Sequence, residues 1–391
     1  MKRLFSNLLF KVFIAIVLGI VFGLYLPESV NRIFTTFNAF FGQFLNFAIP
    51  LIIMGLIMPA ISDLGKGAGK LLLLTAAIAY GSTLFSGFMT YFVAAVIFPQ
   101  LLESHVATVA EVGNTAKELT PYFTITIPPA LDVMTALVFA FVIGLGLSYQ
   151  EKSSLKLVVK DFETIIMQLI KNVIVPLLPL FILGIFASMS FSGKVFSILS
   201  VFINIIGVIF ALHIILLLLQ YSIAGIITKQ NPFKLLLNMM PAYFTALGTQ
   251  SSAATIPVTL QQTLKNGVSE KIAGFVIPLC ATIHLSGSTM KITACAIALL
   301  ILQGMPFDFT LFAGFICMLG IAMVAAPGVP GGAIMAAVGI LQSMLGFNDE
   351  MIGLMIALYI AMDSFGTACN VTGDGAIALV VDRITKEKLV A

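Results

Sequence analysis

Four polar side chains recur at helical spacing near the end of this chain. Asp363, Thr367, Asn370 and Asp374 stand at i, i+4, i+7 and i+11, so one helix presents them on one face. Their neighbours are largely apolar. A carboxylate in such a setting is costly and normally has a cationic partner or an ion. Two roles suit the pair of acids: one holds a substrate ammonium and the other a hard cation. The alternative is a structural pairing with Lys291, the one lysine far from the end of an apolar segment.

Three polar and Gly-rich patches interrupt the apolar sequence upstream. They run from Thr249 to Thr255, from His284 to Thr289 and from Ala326 to Ala333. Non-helical backbone at membrane depth is tolerated only where protein buries it or it lines a watery cavity. Broken helices are the sequence sign of a secondary transporter site near the midplane; the plainer alternative is a set of hinges. The first patch sits between arms Leu235–Gly248 and Ile256–Leu264, the third between Leu311–Val324 and Ile334–Leu345. Arms this short predict re-entrant hairpins, whose tips present free backbone N–H groups suited to a carboxylate.

The elements that carry these patches are membrane helices. The 391 residues are 60% hydrophobic and only 9% charged, against about 25% charged in soluble domains, and the mean hydropathy is +1.10. That excludes a soluble enzyme, and a net charge of +3 gives a nucleic acid nothing to bind. Continuous apolar runs such as Leu71–Ile78 argue against an outer-membrane barrel, whose strands alternate. Spans are expected over Phe10–Leu26, Phe40–Ile61, Leu71–Phe98, Asp132–Tyr149, Ile165–Met189 and Val195–Ile227. A helix needs about 20 residues to cross. Met1-Lys2-Arg3 opens the first span and has no A-x-A-like site after it, so it reads as a membrane helix and not a signal peptide.

Lys and Arg cluster before the first span and after the second, fourth and sixth, and again at Arg383, Lys386 and Lys388. The alternate loops hold only Arg32, Lys117 and Lys194. Both termini are therefore expected in the cytoplasm, in a cytoplasmic (inner) membrane, with the Gln100–Pro129 loop and its His105 outside. Cys280, Cys295, Cys317 and Cys369 lack metal spacing and read as reduced, buried small residues.

These motifs resemble the glutamate transporter family, the dicarboxylate/amino acid:cation symporters. The likeness covers essentially the whole chain. It rests on the Ser-rich tip, the mid-helix break, Gly-Val-Pro-Gly, and Asp-x-x-x-Thr-x-x-Asn-Val-x-Gly-Asp in the last helix. It implies an all-α polytopic membrane protein with eight transmembrane helices, two re-entrant hairpins and an elevator-type mechanism in a homotrimer. Residues 1–70 would be scaffold helices 1 and 2, and 71–131 transport-domain helix 3 with the external loop. Residues 132–228 would hold scaffold helices 4 and 5 and transport-domain helix 6. Residues 229–391 would form the transport core.

Carried over by position, the resemblance assigns Asp363 to the substrate amino group, and Thr367 and Asn370 to substrate contacts. Ser251, Ser252, Val329 and Gly331 would form the carboxylate-cradling tips. Asp374 and Asn370 would hold one sodium ion, and carbonyls around Cys280, Thr282 and Leu285 another. One or two sodium ions and no organic cofactor are implied.

Departures from the family pattern set the substrate expectation. Acidic-substrate members carry Arg where this chain has Gly366, and the first tip has Gln250. An unpaired buried carboxylate costs several kcal/mol, so a small neutral amino acid such as serine, threonine or alanine is expected. A larger neutral side chain, cystine, a dicarboxylate or an acidic amino acid is the alternative. Ser286 replaces the acid of a further sodium site, and Thr75, Ile78 and Ala79 lie where its other donors would be. Too few oxygens remain for a hard cation, so Lys291 is expected to supply a tethered charge there. His284, near Asp374, could instead couple protons or sit as a buried neutral ring. A channel would want an open charged pore. An enzyme would have only Ser252 with His284 and nothing to align them.

Overall fold

The computed structural model describes residues 8–63, 70–115, 119–150, 153–193, 195–326 and 330–390. Among the described residues all regular structure is helical, with no strand. Six long helices come first: α1 Leu8–Tyr25, α2 Glu28–Asp63, α3 Lys70–Thr115, α4 Val133–Ser148, α5 Ser154–Phe191 and α6 Val195–Thr228. Among the described residues six helices are long and apolar enough to cross a membrane, or up to seven if the bent pair near the C-terminus is one span, against the eight expected. The span expected over Asp132–Tyr149 is α4, whose 16 residues fall short of the ~20 that a crossing takes.

Several helices outrun the apolar windows. α2 starts at Glu28, well before Phe40, because its polar first turns satisfy themselves: Thr35 and Thr36 donate to the carbonyls of Asn31 and Arg32. α3 continues past Pro99 to Thr115, so His105 lies in a helix and not in a loop. The residues beyond Phe98 include Leu, Ala and Glu, which favour helix without needing a bilayer. α5 contains a π turn at Ile170–Ile174, directly before Pro176. Proline has no N–H and clashes with the preceding turn, and one widened turn accommodates it.

Both hairpins form. The first consists of α7 Pro232–Asn238 and α8 Met240–Thr249, a tip at Gln250 and Ser251, and α9 Ser252–Lys265. Asn231 starts it by accepting the N–H groups of Phe233 and Lys234, with Pro232 in the first turn. Gln250 turns the chain in the left-handed region at φ 54, and Ser251 caps α9 through Ala254 N–H at 3.3 Å. The second hairpin is α12 Phe309–Ala325 and α13 Gly332–Leu345. Asp308 caps α12, and Gly331, at φ 76, opens α13 where a side chain would be strained. Val329 lies outside the described residues.

Between the hairpins runs a broken helix, α10 Glu270–Ile283 and α11 Ser286–Leu302, interrupted at His284 and Leu285. Of its most apolar window, 94% is buried, so protein encloses the break, as membrane depth requires. The last span is not one straight helix. α14 Asp349–Ala361 and α15 Asp363–Val390 meet at Met362 with a bend of 61°. Asp363 therefore opens a helix, although the sequence pattern placed it within one.

Packing separates two groups. α1 lies on α5, and α2 packs with α4 and α5. α15 is surrounded by α6, α8, α9, α10 and α11, with α3 against α11. The outer faces carry large apolar side chains such as Phe13, Leu157, Ile214 and Ile226, all exposed, which suits lipid and not water. Cys280, Cys295 and Cys369 are buried and free; Cys317 is free and half-buried.

The α1–α5 seam depends on small residues. A Cβ on Gly23 would meet the carbonyl of Ala187, and would stand 2.5 Å from Ser190 Cβ and 2.9 Å from Phe191 N. Gly81 on α3 has nothing within 4 Å of that position. We expect Gly23→Val to cost about 1–3 kcal/mol by overpacking, read as a lower melting temperature of the purified protein. Gly81→Ala should leave it unchanged or raise it. Equal behaviour of the two variants would contradict the seam.

Candidate functional site

The polar face of α15 does meet the broken helix. Asp363 Oδ1 accepts from Lys291 Nζ at 3.2 Å. Asn370 Oδ1 accepts from Gly287 N–H at 2.7 Å, and its Nδ2 donates to Ser288 Oγ at 3.2 Å. Asp374 Oδ1 lies 2.8 Å from His284 Nδ1. Three residues spread over about three turns of α15 thus meet one antiparallel neighbour. The close approach needs Gly287, since a Cβ there would stand 2.7 Å from the Gly366 carbonyl and 2.9 Å from Cys369 Cβ. Thr367 is buried on the same helix.

At the α15 start, four elements converge. The second oxygen of Asp363 accepts the Gly331 N–H at 2.9 Å, which ties down the tip of the second hairpin. Next to it, Ser364 Oγ accepts from Gln250 Nε2 at 2.8 Å, which ties down the first. Lys291 comes from α11. Its ammonium also donates to the Met362 carbonyl at 3.4 Å and sits 3.7 Å above the Tyr359 ring of α14. Tyr359 in turn donates to Ser288 at 3.0 Å. Lys291 is 0% and Asp363 5% exposed, so each is the other's counter-charge in a largely dry setting. Ser252 is buried beside Ser251 at the first tip.

Gly366 is explained by the same lysine. A Cβ on it would meet Lys291 Cε and would stand 2.5 Å from Nζ and 3.1 Å from Cδ. Glycine inside a helix costs about 0.5–1 kcal/mol relative to alanine. Here it gives the lysine stem its path across the helix. The position that the sequence comparison found to lack a cation therefore has one beside it, delivered from another helix. Lys291 lies against Asp363, the structural pairing that the sequence offered as its alternative, and not at Ser286 where a tethered charge was expected.

The Ser286 surroundings are neutral. Its carbonyl accepts from Ser86 at 2.6 Å and its hydroxyl from Gln220 at 3.4 Å. Gln220 also donates to Ser82 Oγ at 3.0 Å, and Ser82 lies 3.1 Å from His284 Nε2. One assignment uses every group: Gln220 donates to Ser82, Ser82 to His284 Nε2, and His284 Nδ1–H to Asp374. Thr75 is buried and donates to the Leu71 carbonyl, and Ala79 is packed in the core.

The ion-site residues differ in availability. Thr282 is exposed, with its hydroxyl on the Leu279 carbonyl. The Cys280 carbonyl accepts from His284 N–H and that of Leu285 from Thr289 N–H. The carbonyls after Cys280 belong to a helix end and lack intrahelical donors. Gln220 Oε1, which faces Gly373, and Thr372 Oγ1 are buried without a hydrogen-bond partner among the described residues; Thr372 stands two positions before Asp374, so the helix turns the two side chains apart.

Sequence reasoning missed Ser82, Ser86, Gln220, Tyr359 and Ser364. Signals for some of them existed. Gln220 is a lone amide in an apolar run, Ser82 and Ser86 are four apart on α3, and Tyr359 precedes Asp363 by four. None carries a motif.

Replacing His284 by Ala removes a donor from buried Asp374 and an acceptor from Ser82. A buried group left unpaired costs about 1–3 kcal/mol, so the variant should melt well below the wild type. His284→Asn, which keeps an amide donor, should lose less. Identical melting of all three proteins would mean that the pair stabilises nothing.

The chain is similar in sequence to known transporters. Human excitatory amino acid transporter 2 is 31% identical over 165 residues, 42% of this chain and 29% of the relative. Mouse excitatory amino acid transporter 3 is 33% identical over 165 residues, 42% of this chain and 31% of the relative. Mouse excitatory amino acid transporter 5 is 32% identical over 163 residues, 41% and 29% of the two chains. The matches thus cover under a third of those proteins' own lengths. The family model described as the sodium:dicarboxylate symporter family matches residues 8–384, nearly the whole chain, and the protein belongs to that family of membrane symporters.

Proposed function

We propose that this chain is a sodium-coupled symporter that imports a small neutral amino acid by an elevator motion. The observation that carries the reading is the convergence of both hairpin tips on Asp363 and Ser364. A solute bound there is enclosed from two sides, and each tip senses its presence. One or two sodium ions would bind beside it. The buried carboxylate of Asp374 supports a cation there. Linkage then makes ion and solute raise each other's affinity by one common factor. Each charge moved through 100 mV supplies about 2.3 kcal/mol.

The elevator reading is supported by the seam between the two packing groups. α13 meets α2 where a Cβ on Gly339 would stand 3.1 Å from Ile53 Cδ1, and Gly353 of α14 packs against Ile185 and Phe181 of α5. Gln342 of α13 donates to Asn46 of α2 at 2.8 Å. A mostly apolar seam of small residues against branched ones has few directional bonds to break during sliding. The proposed scaffold is α1, α2, α4 and α5, assembled as a homotrimer in a cytoplasmic membrane with both termini inside.

A second reading is favoured by the His284–Asp374 contact. Protons would replace or accompany sodium at that pair. Labelled L-serine uptake into proteoliposomes separates the two. Uptake driven by an inward sodium gradient at fixed pH, blocked by alanine and threonine and not by aspartate or succinate, is the expected result. Uptake indifferent to sodium and driven by an inward proton gradient would favour His284. Block by aspartate or succinate would overturn the neutral substrate, and non-saturable flux without counterflow would point to a channel.

A further inference from the structure

The Lys291–Asp363 pair lies across the group that the proposed function assigns to the solute's ammonium. Both carboxylate oxygens are taken, Oδ1 by Lys291 and Oδ2 by the Gly331 N–H. Lys291 already balances the charge of Asp363, so a solute ammonium that joined it there without moving the lysine would leave one buried positive charge unmatched. Lys291 is fully buried, and its other neighbours are one carbonyl and the Tyr359 ring. Neither replaces a full negative charge, and an unpaired ammonium in a low-dielectric site is strongly unfavourable.

An incoming amino acid carries the missing charge on itself. We propose that Lys291 is a substrate-specificity residue that exchanges partners: the solute ammonium takes Asp363, and Lys291 turns to the solute carboxylate. One internal ion pair becomes two, and the net charge of the site stays at zero. The inference rests on the amino-acid reading above and sharpens it. It selects compounds with one ammonium and one carboxylate close together. A plain amine would leave Lys291 unmatched, and a plain monocarboxylate would leave Asp363 covered and its own charge competing for Lys291. A second carboxylate, as in aspartate, would have no cation left.

Two further observations fit. Gly366 leaves the lysine stem its path beside α15, where a Cβ would make the lysine's flexible end shift. The exchange also reaches both hairpins, because Asp363 holds the second tip directly and Ser364 the first. Lysine, with four flexible methylenes and a point charge, is suited to changing partners in a way that a guanidinium fork is not.

The test uses the full chain in proteoliposomes, with labelled L-serine and three unlabelled competitors: L-alanine as zwitterion, L-serinamide as cation only, and L-lactate as anion only. In the wild type only alanine should compete. In Lys291→Gln the half-saturation concentration for serine should rise at least about tenfold, a change worth 1.4 kcal/mol, and serinamide should now compete, because Asp363 is uncovered. Lys291→Arg keeps the charge and controls for folding, and should lose less affinity than Lys291→Gln. Wild-type competition by serinamide equal to that by alanine overturns the exchange. So does an unchanged serine affinity in Lys291→Gln, and both results leave the neutral amino-acid reading standing. Absence of wild-type serine, threonine and alanine uptake overturns that reading and the exchange with it.

Discussion

A carboxylate that is 5% exposed at the start of a helix, inside a protein this apolar, must be matched on every side. Much of the site follows from satisfying Asp363. The helix bends by 61° at Met362, so that the acid stands at an N-terminus, where free N–H groups and the helix dipole favour negative charge. The second hairpin donates a backbone N–H from a glycine with positive φ. The broken helix donates an ammonium. The first hairpin arrives one residue later, at Ser364. Three other elements are thus each fixed by a bond to two adjacent residues of α15.

That arrangement makes occupancy and shape inseparable. A group that changes the partner of Asp363 alters the anchor of a hairpin tip, since Oδ2 belongs to Gly331. Coupling of this kind needs only differential contacts in two states. The His284–Asp374 pair lies further along the same face of α15 and is backed by Ser82 of α3 and Gln220 of α6. The proposed transport unit therefore has two acid–base pairs on one helix face, each braced by a different set of neighbours.

Much of this was legible in the sequence because it depends on local rules. The i, i+4, i+7, i+11 pattern places Asp363, Asn370 and Asp374 on one side whatever they meet, and in the structure they do meet the broken helix. The polar breaks announce the hairpins because apolar arms of ten to seventeen residues are too short to cross. What spacing does not contain is which residue of a distant helix comes to lie opposite. Lys291 is 72 positions from Asp363, and nothing local says that its stem crosses over Gly366. The glycine was read as a missing cation, whereas it is the space a cation occupies. Helix ends were also misplaced wherever polar turns satisfy their own side chains, as in α2, because hydropathy measures the bilayer and not the helix.

The two internal pairs bear on the return stroke. In the proposed elevator cycle the unloaded domain crosses the membrane without solute. Bare Asp363 and Asp374 would then each carry a charge through the low-dielectric region, opposed by desolvation. Under the exchange proposed here Lys291 cancels the charge of Asp363 whenever the solute is absent, so the empty site crosses without that term. In the loaded state the solute's own charges take over, and the site is again neutral. A built-in cation thereby does what a bound ion would otherwise have to do at that position. The membrane potential is then left to act on whatever cation binds at Asp374, where the buried His284 ring contributes a hydrogen bond and, when neutral, no charge.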